Sequence, residues 1–447
     1  MVLSSILLGI WATKGTIALR NILLVCGAFF SVYYIIQEWR YGHLKLQCTP
    51  WRVLPICLVG LIFFWVIIHY IFFSLDPVQQ FFELKSTWLR ALMSSIVGLA
   101  TGLALRNHCN RLNLIWMGIF VAFLILFIQY IPRALSQDKI LVPDYEYYLF
   151  HLKINTVLMG MIIITGMNGA MLDKLNSISN NCSIFSIWNL VYCFLGTALV
   201  LWAFVFVVDS RIGVGLAVVL FSFWLIVTLV ISIQCIIFSS TKKGSKALVF
   251  CVLCLCLALS FALFHTNINK GWSTFLEDTR IGVQINQYQN WKNSTQMGYP
   301  KRDDGSEVVR NTYDRVSWAT IGAITIFNQP LGVGILKSPM LKISNPPIQQ
   351  NAELNKKMFS THSGWVELGL AFGIPILCLI LFALSFVFIE ALRRPYQMRM
   401  TILGFTVLIL CLYAVGEVAI QHGLEILFYL LTLLPTLFLI ENSKTRP

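Results

Sequence analysis

Uninterrupted apolar runs recur along the whole chain, and they constrain the fold more than any other feature, because about 20 mainly apolar residues are what a helix needs to cross a bilayer. Lipid offers no partner to backbone N–H and C=O groups, so spanning elements must be helices or a closed barrel. The runs are continuous rather than alternating, which excludes the barrel. Composition agrees: 57% of the 447 residues are hydrophobic and 12% are charged, against about a quarter charged in soluble domains. The expected fold class is an all-α polytopic membrane protein.

Clear spans fall at residues 17–36, 53–73, 89–105, 112–131, 154–172, 184–208, 212–238, 247–264, 366–389, 400–420 and 424–440, with a shorter one at 2–12. That is about twelve helices at the usual spanning length. The 212–238 run is long enough to be tilted or broken. Residues 1–12 lack a basic n-region and a small-residue cleavage site, so the first helix is expected to stay. An even count puts both termini on one side of the membrane. Lys and Arg gather in alternate loops: Arg40, Lys45 and Arg52; Arg106 and Arg111; Lys242, Lys243 and Lys246; Arg393, Arg394 and Arg399; and Lys444 and Arg446. The positive-inside bias assigns that set to the cytoplasm. Asp76 with Glu83, residues 133–153, the turn Asp209-Ser210-Arg211 and the polar stretch after His265 then face outward. The 176–182 loop carries too little charge to vote.

The net charge of +13 follows from basic loops of a multispanning protein, so nucleic acid is not an expected partner. Nearly all the cysteines lie in or beside apolar runs, and the long polar stretch has none, so no disulfide framework is expected. Cys251, Cys254 and Cys256 approach a metal-ligand spacing but sit in an unbroken apolar run without an acidic neighbour, where small apolar filling is the expected role. No GxxxxGK[ST] or HExxH pattern supports nucleotide hydrolysis or zinc proteolysis.

Between His265 and Trp365 roughly a hundred polar residues interrupt the spans, far beyond an ordinary connection and therefore expected to be functional. They divide the chain into an N-terminal bundle at 1–265, a loop subdomain at 266–365 and C-terminal spans at 366–447, which sets the large loop between helices 9 and 10. Residues 314–327 have a pattern compatible with a short surface helix. Pro330-Leu331-Gly332-Val333-Gly334 reads as a tight turn with close backbone approach. Residues 286–305 are rich in Asn, Asp and Gly and read as a mobile loop. Asn293-Ser294-Thr295 matches a glycosylation acceptor pattern that is short and frequent.

Among the charged residues Arg211 stands out, because it lies between two long apolar runs, where a charge calls for a partner or a function. Snorkelling to the interface is its bland alternative. A guanidinium fork there suits a phosphate. His362 ends the polar stretch and suits general-base chemistry; its alternative is to cap the returning helix. Arg310 and Arg315 fit either a site or a solvated helix face. His69, Glu417, His422 and Glu425 lie near outer helix ends, where they either line a cavity or, for the last three, pair between helices. Arg20, Arg90 and Asp173 lie at span edges, where snorkelling explains them.

Three local patterns, taken in order, resemble the O-antigen ligase and polymerase superfamily of membrane glycosyltransferases. Asp209-Ser210-Arg211 before an apolar helix is similar to its Ser-Arg turn. Arg315 and Trp318, followed by Asn328-Gln329-Pro330-Leu331-Gly332-Val333-Gly334, are similar to its arginine-tryptophan helix and Pro-Leu-x-Gly-x-Gly turn. His362 with Gly373 eleven residues on is similar to its returning-helix histidine. The chain departs from the pattern at Ser363-Gly364, where an amide is usual, and at Ile376, where a second glycine is frequent.

The resemblance implies a GT-C-like fold and an enzyme of the bacterial inner membrane, with cytoplasmic termini and an active site facing the periplasm. The reaction would transfer a glycan from undecaprenyl diphosphate to a lipid A-core sugar hydroxyl, without metal or cofactor. His362, Arg211 and Arg315 would be catalytic, and Arg310, Trp318, Gly332, Gly334 and Trp365 would contact the diphosphate or glycan. The alternatives are a polymerase or a protein O-oligosaccharyltransferase of the same superfamily and, from another class, a lipid-linked glycan flippase.

Overall fold

The computed structural model describes residues 1–41, 50–106, 111–139, 141, 148–150, 152–176, 184–239, 245–292, 294–337, 339, 360–393, 398–418 and 422–438. Helices α1 (Val2–Trp11), α2 (Ile17–Arg40), α3 (Pro50–Phe72), α4 (Pro77–Glu83), α5 (Leu89–Arg106) and α6 (Leu112–Gln137) open the chain. They are followed by α7 (Lys153–Asn176), α8 (Ile184–Trp202), α9 (Arg211–Ser239) and α10 (Ser245–Ile268). A cap then holds α11 (Phe275–Val283), α12 (Ser294–Met297) and α13 (Arg310–Asn328), before α14 (Gly364–Arg393), α15 (Arg399–Val415) and α16 (Gly423–Phe438) return. Among the described residues no strand forms beyond an isolated bridge between Lys301 and Glu307.

Every apolar run falls on a helix. Among the described residues, nine helices are long and apolar enough to cross a membrane, and α1, α15 and α16 are shorter apolar helices. Large apolar side chains such as Phe29, Phe64, Ile128, Leu195, Leu253 and Phe382 point outward, where a bilayer rather than water is their natural solvent. Helix α7 is apolar on all faces and buried along most of its length, the pattern of a central helix. Helices α5 and α16 approach closely because Gly98 and Gly102 leave room for Tyr429 and Thr436, the small-residue packing that membranes favour.

The long run at 212–238 forms one unbroken helix, α9. The break lies in α14, where Gly373 takes a φ of 74°. Pro375, two residues on, can donate no helical hydrogen bond, and the Pro330–Gly334 turn lies against the broken backbone. Ile374 N donates to Pro330 O at 2.8 Å, Val333 N to Leu370 O at 2.9 Å and Gly334 N to Ala371 O at 2.6 Å. Trp65 Nε1 donates to Phe372 O at 2.9 Å, and the His69 ring pairs with Leu331 O at 3.1 Å. The peptide groups released by the break are therefore satisfied by protein, as a low-dielectric setting requires.

The 286–305 stretch, expected to be a mobile loop, is folded onto the cap. Trp291 Nε1 donates to Ile285 O at 3.0 Å, and Tyr313 Oη donates to Tyr288 O at 3.0 Å. Ile281, Val308 and Tyr313 form a small core, with Tyr288, Trp291 and Tyr299 packed on it. A buried ion pair joins Arg302 to Asp278 at 2.7 Å. Aromatic residues scattered through a polar sequence supply the core that its overall composition conceals. Asn293 of the acceptor pattern lies outside the described residues, as do residues 177–182 and loop segments 42–49, 107–110, 240–244, 394–397 and 439–447, which carry part of the orientation argument.

Candidate functional site

One face of α13 organises the site. Thr312, Arg315, Trp318 and Gly322 recur at three- and four-residue steps, so they share a helix face. Thr312 Oγ1 accepts from Arg211 Nη2 at 3.0 Å. Two turns along, the Trp318 indole stacks on the His362 ring, with centroids 5.6 Å apart and 21° between planes. Gly322 packs against Val366 and Thr361 at the start of α14. Arg315 is thus placed between Arg211 and His362, over about 9 Å of helix from Thr312 to Trp318 at 1.5 Å per residue. Burial lowers the Arg315 guanidinium from its usual pKa, the charge of Glu417 opposes that shift and Arg211 adds to it. A guanidinium stays charged under such shifts.

Arg211 opens α9 directly after a sharp turn. Asp209 holds a φ of 46°, and Ser210 Oγ accepts from Gly213 N at 3.2 Å, capping the helix. Arg211 Nη1 also donates to Gly271 O, and the guanidinium lies over the Phe275 ring at 5.9 Å. Asp209 Oδ1 accepts from His265 Nε2 and from Asn269 Nδ2, each at 2.8 Å. Trp272 Nε1 donates to His265 Nδ1 at 3.2 Å, which assigns the His265 proton to Nε2. The His265 hydrogen bond holds the Asp209 carboxyl down at about 2, against the opposing effect of burial and with help from Asn269 and Lys153.

His362 also takes a left-handed backbone, with a φ of 53°. Its Nδ1 pairs with Glu417 Oε1 in the turn between α15 and α16, and the imidazole is 24% exposed where the carboxylate is 8% exposed. The ring edge carrying Nε2 is the one turned away from that carboxylate. Glu367 sets this geometry: its Oε1 accepts from Ser360 Oγ at 2.8 Å and its Oε2 from Val418 N at 2.8 Å. Ser360 Oγ in turn accepts from His362 N at 3.1 Å. One buried carboxylate thus ties the His362 turn to the Glu417 turn.

The remaining residues singled out from sequence sit differently. Arg310 is 70% exposed, lies 4.0 Å from Glu307 and stacks over Tyr299. Trp365 Nε1 donates to Leu410 O at 3.0 Å and packs on Tyr413, which fixes α14 to α15. Gly332 (φ 83°) and Gly334 (φ 87°) face the α14 backbone and Gln80 with His69. Trp318 Nε1 is buried without a partner among the described residues. Away from this group, Glu425 pairs with Arg90 at 2.5 Å and with His422 at 2.5 Å, and Arg20 Nη1 donates to Trp11 O at 2.8 Å. Those contacts join helix ends. Asp173 accepts from Met400 N at 2.6 Å and Thr401 N at 3.0 Å, capping α15. Cys251 and Cys254 are buried in the bundle, with Cys251 3.6 Å from Thr228 Oγ1.

Sequence reasoning passed over Thr312, Glu367 and the Asp209–His265–Trp272 strut. The Thr312–Arg315–Trp318 spacing was a legible signal; the others depend on contacts between distant segments. Chemically, two guanidinium groups beside an imidazole–carboxylate pair can bind an anion while a proton leaves a neighbouring hydroxyl. The fold and site together define a polytopic helical membrane protein in which Arg211, Arg315 and the His362–Glu417 pair are gathered along α13. No protein-family model matches the chain, and no curated protein matches it.

Proposed function

We propose that the protein is a membrane glycosyltransferase of the O-antigen ligase type, moving a glycan from undecaprenyl diphosphate to a lipid A-core sugar at the periplasmic face of a bacterial inner membrane. The observation that carries this reading is the arrangement of Arg211, Arg315 and the His362–Glu417 pair along one face of α13. Arg211 and Arg315 hold the diphosphate and stabilise the charge that grows on it as the glycosidic C–O bond breaks. His362, oriented by Glu417, removes the proton from the acceptor hydroxyl as the new C–O bond forms. Polyprenyl diphosphate leaves with the bonding electron pair.

The test is reconstitution of the purified protein with undecaprenyl-diphosphate glycan and rough lipopolysaccharide. Glycan joined to the lipid A core supports the ligase. Longer lipid-linked glycan indicates a polymerase, and glycan on an added pilin indicates a protein transferase. Arg211→Ala is expected to reduce transfer about 100- to 1000-fold while the protein stays folded; near-normal transfer rejects its role. A His362→Ala variant that still moves lipid-linked glycan across vesicles, where wild type shows no transfer, indicates a flippase.

A further inference from the structure

Arg211 takes one hold from α13 and another from the short turn that follows α10. Its Nη2 donates to Thr312 Oγ1 at 3.0 Å, and its Nη1 donates to Gly271 O. Contacts on two different nitrogens fix the plane of the guanidinium fork, which a single contact on so long a side chain leaves free to swing. Gly271 guides the fork by shape as well. A Cβ there would stand 2.6 Å from Arg211 Nη1, 2.9 Å from its Cζ and 3.1 Å from Asn269 Oδ1.

That turn is clamped to the one that delivers Arg211. Asn269 bridges the two, its Oδ1 accepting from Gly271 N at 3.0 Å and its Nδ2 donating to Asp209 Oδ1 at 2.8 Å. His265 Nε2 donates to the same oxygen at 2.8 Å, and Trp272 Nε1 reaches back to His265 Nδ1 at 3.2 Å. Asp209 precedes Arg211 by two residues, so the contacts close a ring from Arg211 through Gly271, Asn269 and Asp209 back to Arg211. A side chain caught in such a ring loses its rotamer freedom when the protein folds rather than when substrate arrives. Donors fixed in advance need no reorganisation as charge develops.

We infer that Asn269 and Gly271 are positioning residues for Arg211: the clamped turn sets the direction of its fork, and thereby how well the fork meets the departing diphosphate. This rests on the glycosyl-transfer reading and adds to it two residues that act through Arg211. Neither carries a charge; their contribution is to aim one.

The experiment measures glycan transfer by the full-length protein with radiolabelled undecaprenyl-diphosphate glycan and rough lipopolysaccharide, for Gly271→Ala and Asn269→Ala alone and each combined with Arg211→Ala. Either single variant is expected to lower kcat about tenfold to a hundredfold, as misplacement of a fixed group does. The KM for the donor is expected to stay near that of wild type, because the affected charge grows only as the bond breaks. Combined with Arg211→Ala, neither is expected to cost anything further, since residues that act through one group are not additive with its loss. Gly271→Ala is expected to keep its unfolding midpoint, because its new methyl meets only the movable ends of the Arg211 and Asn269 side chains. Should that variant fail to fold, the Asn269→Ala cycle decides. A wild-type rate in the single variants, or an equal further loss in the Arg211→Ala background, overturns the inference while leaving the glycosyl-transfer reading intact. Absence of transfer by wild type sinks that reading and the inference with it.

Discussion

At the scale of single residues, the site is held by unusual backbone as much as by side chains. Asp209, His362 and His422 are among the few described non-glycine residues with positive φ, a conformation that costs roughly 1–3 kcal/mol each and persists where the surroundings enforce it. For His362 the enforcing group is Glu367, and the orienting one is Glu417. Glu417→Gln keeps the shape but removes the charge, and is expected to lower the transfer rate about tenfold to a hundredfold, read as initial rates across pH. Asp209 gives a separate acid response. Its folded pKa of about 2 lies below the ordinary Asp value of 3.8, so its stabilising contribution is complete above the unfolded value and is lost as pH falls through the folded one. Thermal unfolding of wild type and Asp209→Asn is expected to converge between these pH values, and parallel curves would contradict this. Arg211 was legible in the sequence because a permanent charge between two apolar runs is costly without a purpose. Glu367 was not, because nothing along the chain announces that one carboxylate will bridge Ser360 and Val418.

At the scale of elements, hydropathy located the spans, since their length and continuity are set by lipid thickness alone. It did not locate the break in α14, although Gly373 with Pro375 two residues on was a legible breaker signal; the turn about forty residues earlier that packs into the break was not legible. Close backbone approach at Gly332 and Gly334 was foreseen; its target was not. Gly373→Ala is expected to destabilise the protein by roughly 1–3 kcal/mol from backbone strain alone, because its φ of 74° and ψ of −169° are essentially a glycine conformation, and more from collision with Pro330 O and Leu331. The measurement is the unfolding midpoint in detergent, and an unchanged midpoint would show that the break tolerates a side chain. The 286–305 stretch misled for a related reason: its turn-forming residues are obvious, whereas Tyr288, Trp291 and Tyr299 become a core only when α13 is laid beside them.

At the scale of the whole molecule, the Arg211–Arg315–His362 cluster, the cap and the starts of α7, α9, α14 and α16 lie at one end of the bundle. The proposed orientation puts that end in the periplasm. Asp304→Cys, on an exposed turn of the cap, is expected to react with a membrane-impermeant thiol reagent in intact spheroplasts, while a cysteine placed at Lys45 is expected to react only after lysis. The opposite pattern would turn the site toward the cytoplasm. Transfer is also expected to continue in excess chelator, because the arginines provide the positive charge that a divalent ion would otherwise bring; activity lost there and regained with added magnesium would contradict that assignment.

The Pro330–Gly334 turn, lodged in the gap of α14, makes the soluble-looking excursion inseparable from the membrane core. Cutting it out to obtain a smaller crystallisation target would leave the peptide groups of the α14 break without these partners. Expressed alone, the excised piece would lack the helix that gives its last turn a shape, so the smallest piece worth purifying includes both.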